Sequence, residues 1–287
     1  MNRPLLIGAI GVLALGSLSF VLVGTGASPE DLTGVQRALF VLTYIFQLAT
    51  LVAVFRLRAL YAPDEPKRVQ WTLFSGFFLL RVIAETRLMT LYFDWIPSAI
   101  GDDATLKAIY LDGLRFLYTL SDLLLIAGLA YLWNALAGFG GREERPRLRL
   151  RVGRGDIPWL ALLPALPIAA FALRKQMANH TITADGAGAP DPWLQLYRLM
   201  AVVLSTVTVG LCAILLGYSR QMGGGAVARI WTCIVAAGIA RALSFVALAV
   251  FTLLSTGVAV IVEQAFLFYF VWCWWTAVRL ERDVATF

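Results

Sequence analysis

The chain has little of what most chemistry requires. It holds one histidine, three cysteines and 15% charged residues over 287 positions. The histidine, His180, stands in a coil-like stretch rich in Gly, Ala, Pro and Asp, so the apolar runs contain none. Haem-bearing bundles place histidines inside helices, and intramembrane zinc or serine hydrolases need His or Cys clusters at depth. A retinal Schiff base needs a lysine in a late helix, and the apolar runs from Leu114 onward contain no lysine. The acidic pair Asp102-Asp103 is single, where two-magnesium prenyl transfer needs paired motifs. Cys212, Cys233 and Cys273 all lie within apolar runs, which implies no structural disulfide. The sequence therefore shows no catalytic constellation and no metal set. It implies no cofactor, and the expectation is a protein without enzymatic activity.

Apolar sequence is abundant. Hydrophobic residues make up 60% of the chain, with a mean hydropathy of +0.76. Runs reaching about 18–20 apolar residues read as bilayer-crossing helices. Eight such runs stand at Leu5–Val23, Ala38–Phe55, Gln70–Phe93, Leu114–Leu136, Ile157–Leu173, Trp193–Tyr218, Ile230–Leu254 and Val258–Val278. The fold class expected is an all-α polytopic membrane protein with eight transmembrane helices. Residues 1–30 form one N-terminal helix (or an uncleaved signal anchor), and residues 31–287 form a seven-helix bundle. The run Ile157–Leu173 carries Pro158, Pro164 and Pro167 and should be kinked.

The net charge of +6 sits in short clusters between the runs, not in a basic domain laced with aromatics, so nucleic acid is not an expected partner. Most Lys and Arg fall in the segments 56–70, 139–156 and 219–229 and in the C-terminal tail. The positive-inside rule puts these in the cytoplasm, with the C-terminus, in a plasma (inner) membrane. The densest cluster, Arg142, Arg145, Arg147, Arg149, Arg151 and Arg154, reads first as a topology determinant and second as a contact for anionic lipids or an acidic partner. The aromatic block Phe266–Trp275 reads mainly as lipid-facing surface and an interfacial belt.

Charges inside the runs carry the functional signal, because an ionisable residue at membrane depth is expensive and turns toward the bundle interior or a wet cavity. Arg81 and Glu85 share a helical face, as do Arg115, Tyr118 and Asp122. Arg241 falls near mid-membrane, Glu263 in the outer third and Arg198 near the outer mouth. The expected pairing sets Arg81 or Arg241 against Asp122, with Glu85 or Glu263 taking the other arginine. These charges either fix helix register or line an outward polar cavity for a ligand or ion.

The segment Phe46–Arg87, with its helix ending in basic residues, short loop and mid-helix Arg81, resembles the first two helices of the tobamovirus-multiplication / GPR137-like seven-helix family. The stretch Leu111–Leu136 resembles that family's third helix, and Arg241 and Glu263 resemble an arginine and a glutamate of its last two. The resemblance implies a receptor-like seven-helix bundle acting as sensor, scaffold or regulator. Two further functions fit the same charges: an ion-coupled small-molecule transporter, or a structural subunit with a membrane-protein partner.

Overall fold

The computed structural model describes residues 3–24, 29–92, 104–139, 192–221, 225–251 and 256–286. These form seven α-helices: α1 (Arg3–Gly24), α2 (Pro29–Ala59), α3 (Pro66–Tyr92), α4 (Ala104–Phe139), α5 (Pro192–Gln221), α6 (Ala226–Phe251) and α7 (Thr256–Ala285). Five stretches within them are long and apolar enough to cross a membrane: Thr33–Ala59, Ile109–Asn134, Leu199–Gly217, Ala226–Ser244 and Val258–Ala285. The chain is thus an all-α protein with membrane-spanning helices, and the described residues hold five candidate spans where eight were expected in the whole chain. Of the other three expectations, two fall short of that standard and one is not covered. In α1 only Leu5–Leu15 stands as a shorter apolar helix. In α3 Arg81, Glu85 and Arg87 interrupt the apolar run, although the helix is 27 residues long. The run Ile157–Leu173 lies outside the described residues, as do His180 and the arginines Arg142–Arg154.

Several helices exceed their apolar runs, because backbone hydrogen bonding continues where the side chains turn polar. The segment around Pro29, Glu30 and Asp31, expected as loop, opens α2 instead. Proline suits the first helical position, where its missing N–H is not needed. Helix α4 begins ten positions before the expected Leu114 and runs for 36 residues, about 54 Å at 1.5 Å per residue. It therefore outruns a hydrocarbon core of about 30 Å.

Packing follows chain order. Each of α2 to α7 touches the next, and α2 closes against α7, which makes a ring of six helices. Helix α1 stands outside this ring on α7. Tyr269 of α7 donates its hydroxyl to the Leu5 carbonyl across 3.2 Å. Gly8 lies so near the Tyr269 ring that a Cβ there would sit 2.6 Å from it, so the absent side chain is what lets the two helices approach.

The tightest core fills the end of the ring where the basic residues Arg56, Arg58, Lys67, Arg68, Arg229, Arg279 and Arg282 gather. Trp71, Phe74, Phe77 and Phe78 of α3 meet Phe270 and Trp274 of α7, all at or below 1% exposure. Phe74 and Trp274 stand edge to face at 4.6 Å, and Phe78 and Trp274 at 5.5 Å. This corrects the reading of the block Phe266–Trp275 as chiefly lipid-facing. The helical repeat divides it: Leu267, Phe270, Val271 and Trp274 turn inward, while Phe268, Tyr269 and Trp272 are half-buried, with Phe268 and Trp272 against Phe46 and Tyr269 against α1.

Candidate functional site

Beyond the aromatic core, toward the end away from the basic residues, the ring interior becomes polar. Helix α3 supplies Arg81 and Glu85 to this region, α4 Tyr118 and Asp122, α5 Tyr197, α6 Arg241 and α7 Glu263. All seven lie within electrostatic reach of others in the group. The positions follow from helix direction. In α3 the chain leaves the aromatic core at Phe78 and reaches Arg81 one turn later, whereas in α7 it passes Glu263 two turns before Phe270.

Arg81 and Glu85 are both buried and stand 3.3 Å apart, Nε to Oε1. The contact suits charge attraction but is off-line for a hydrogen bond, since Arg81 Nε and Nη1 have no hydrogen-bond partner. The guanidinium lies 4.6 Å over the Tyr118 ring, a cation–π contact that is stronger where water is excluded. Tyr118 also lies within hydrogen-bonding reach of Glu85. Across the ring, Arg241 Nη2 stands 3.5 Å from Asp122 Oδ2, while Asp122 Oδ1 has no partner.

The sequence-predicted residues thus part company. Arg81, Glu85, Tyr118, Asp122, Arg241 and Glu263 come together. Arg115 does not join them through the bond it makes to Asp112 of its own helix, at 2.6 Å. Arg198 lies on α5, but its side chain is outside the described residues. Tyr197, its neighbour, is the member that sequence reasoning missed. A single tyrosine in an apolar run is ordinary, and its only signal was a phenol at the level where α3 and α4 carry charge.

Neutral polar groups extend the region and were also missed. Tyr44 and Thr86 join α2 to α3 at 2.8 Å, and Gln47 is buried with Oε1 unpartnered. Near the end away from the basic residues, Arg87 lies 4.4 Å over Tyr110, whose hydroxyl meets Thr90 at 2.7 Å.

At the opposite end a second polar group ties α7 to the α2–α3 connection. Tyr61 donates its hydroxyl to Glu281 Oε1 at 2.5 Å, and Lys67 reaches the same oxygen at 2.8 Å. Burial, with the Glu281 carboxylate beside it, holds the Tyr61 phenol well above its ordinary pKa.

No group of three or more His, Cys, Asp or Glu side chains arranged to hold a metal occurs among the described residues. No protein-family model, curated protein or solved structure matches the chain.

Proposed function

We propose that the chain is a non-enzymatic, receptor-like integral membrane protein. Its interior polar group takes up a small ligand from the side opposite the basic end, and occupancy is relayed by helix rearrangement. One observation carries this reading: the polar group lies directly above a dry block built from Trp71, Phe74, Phe77, Phe78, Phe270 and Trp274. On this reading the block closes the basic side, and the polar group opens toward the other side only. A sensor needs nothing more, whereas a carrier needs a second opening.

The position of α1 outside the ring supports counting it as an extra helix. The six ring helices, with the apolar run at residues 157–173, would then make the seven of the receptor-like family that the sequence resembles. By the positive-inside rule the basic end and C-terminus face the cytoplasm of a plasma (inner) membrane, where Arg142–Arg154 would meet anionic lipids.

The native cysteines supply the test. Cys212, Cys233 and Cys273 are fully buried, and Cys273 lies within the aromatic block. In oriented proteoliposomes, a Glu263→Cys variant should react with a membrane-impermeant maleimide added outside. Cys273 should stay unreactive from both faces. Labelling of Cys273 from the basic side would mean that the block opens, and the ion-coupled carrier would replace the receptor.

A further inference from the structure

The unsatisfied atoms of the polar group describe what would complete it. Arg81 is 4% exposed and, among the described residues, keeps two guanidinium nitrogens, Nε and Nη1, without a hydrogen-bond partner. Asp122 is 8% exposed and keeps Oδ1 without one. Leaving buried polar atoms unpaired is costly, and water, an ion or a ligand is what commonly completes them. Glu263 goes further, for among the described residues it makes neither a hydrogen bond nor an ion pair.

The charges add the sign. Arg81 stands against Glu85, and Arg241 against Asp122. Among the described side chains, two guanidiniums face three carboxyl groups, and Glu263 is the carboxyl left without an arginine paired to it. A cation would give it a partner, and an anion would not. A cation alone, however, leaves the Arg81 donors empty.

Distance joins the two requirements in one molecule. Tyr118 underlies Arg81 at 4.6 Å and is four residues from Asp122 on α4. The unpartnered donors and the unpartnered acceptor therefore stand against one face of α4. Glu263 is within electrostatic reach of Arg81, Glu85 and Arg241.

We infer that this group binds a small organic amine carrying an oxygen acceptor a few bonds from its ammonium. The ammonium would lie between Glu263 and Asp122 Oδ1, and the oxygen would accept from Arg81. Tyr118 and Tyr197 would supply aromatic walls, which suit an ammonium as well as a guanidinium. This inference rests on the outward-open reading above and narrows it to a ligand class.

Thermal stability in detergent, read with four probes, tests the class: β-alaninamide (ammonium and carbonyl), propylamine (ammonium alone), propionamide (carbonyl alone) and sodium chloride. β-Alaninamide should raise Tm saturably, with propylamine weaker by about tenfold or more for the lost bond to a charged donor. Glu263→Gln should remove the β-alaninamide response without unfolding the chain, because Glu263 holds no partner among the described residues. Arg81→Lys should bring β-alaninamide and propylamine to equal affinity.

Equal binding of propylamine to the unchanged protein, or a full response to sodium chloride, overturns the proposed class. So does the absence of any response while Glu263→Cys still labels from outside, an outcome that leaves the outward-open reading intact. Failure of that labelling removes the reading and this inference together.

Discussion

Arg241 on α6 and Asp122 on α4 meet at 3.5 Å across the helix ring, although neither helix is the other's neighbour in the chain. Their side chains are 17% and 11% exposed, so each charge is largely removed from water. A pair of this kind adds little net stability, yet losing one partner strands the other charge. Asp122→Asn or Arg241→Gln alone should destabilise the protein by about 2–4 kcal/mol, somewhat less than for a fully buried pair because of the partial exposure. The double variant should recover part of that loss, with a coupling of about 1–3 kcal/mol in thermal melts. Additive effects would show that the two charges are satisfied independently.

Helices α5 and α6 approach at a point where Gly238 faces Cys212. A Cβ on residue 238 would collide with the Cys212 sulfur, whereas the other atoms nearby leave ordinary contact distances, Thr208 Cγ2 at 3.5 Å and Cys212 Cβ at 3.8 Å. Gly238→Ala should therefore destabilise by about 1–3 kcal/mol, the usual penalty for overpacking. Cys212→Ala removes only the offending sulfur. The loss on Gly238→Ala has a sign that helix propensity cannot produce, because alanine is the better helix former, and the double variant should gain more over it than Cys212→Ala gains over the unchanged protein.

How much of this was legible in the sequence depended on what each residue resists. The burial of Arg81, Glu85 and Asp122, and the half-burial of Arg241 and Glu263, could be anticipated, because charge within an apolar run has few other places to go. Tyr197 and Gln47 gave no such signal, since neutral polar groups occur in apolar helices at modest expense. Arg115 has a partner that its face with Tyr118 and Asp122 did not suggest: Asp112, three residues back, offers a carboxylate at 2.6 Å. Helix ends were the least readable feature. The apolar count stops at Leu114 or Val278, while the helices continue through Asp112 and Arg279 on backbone bonds alone. The aromatic block was misplaced because composition reports how many rings there are, and only the 3.6-residue repeat, fixed against Phe74 and Phe77, decides which turn inward.

The link between Tyr61 and Glu281 should respond to high pH. Because the folded-state pKa of Tyr61 is raised by burial and by the neighbouring carboxylate, the folded protein keeps a proton that the unfolded chain releases near pH 10. The contribution is fully present below pH 10. It declines as pH rises above 10, by up to about 1.4 kcal/mol per unit. Tyr61→Phe should flatten that decline. Below pH 10 the variant should be less stable by about 1.5–3 kcal/mol, for a lost hydrogen bond to a charged acceptor. Denaturant titrations of both proteins between pH 8 and about 11 separate the two effects, and parallel slopes would show that Tyr61 titrates normally.

Trp274 is the centre of the aromatic block, within 6.5 Å of Phe74, Phe77, Phe78 and Phe270, measured between ring centroids. It is 1% exposed, and its indole Nε1 has no hydrogen-bond partner. Two opposing terms therefore govern its replacement. Trp274→Ala removes most of the ring contacts and should destabilise by about 3–5 kcal/mol. Trp274→Phe opens a smaller gap but also removes a buried N–H that lacks a partner, which offsets about 1–3 kcal/mol. The phenylalanine variant should therefore lie within about 1 kcal/mol of the unchanged protein, well short of what its lost volume alone would give. A loss for Trp274→Phe approaching that of Trp274→Ala would mean that the indole N–H is satisfied after all, and that the block is wetter than its packing implies.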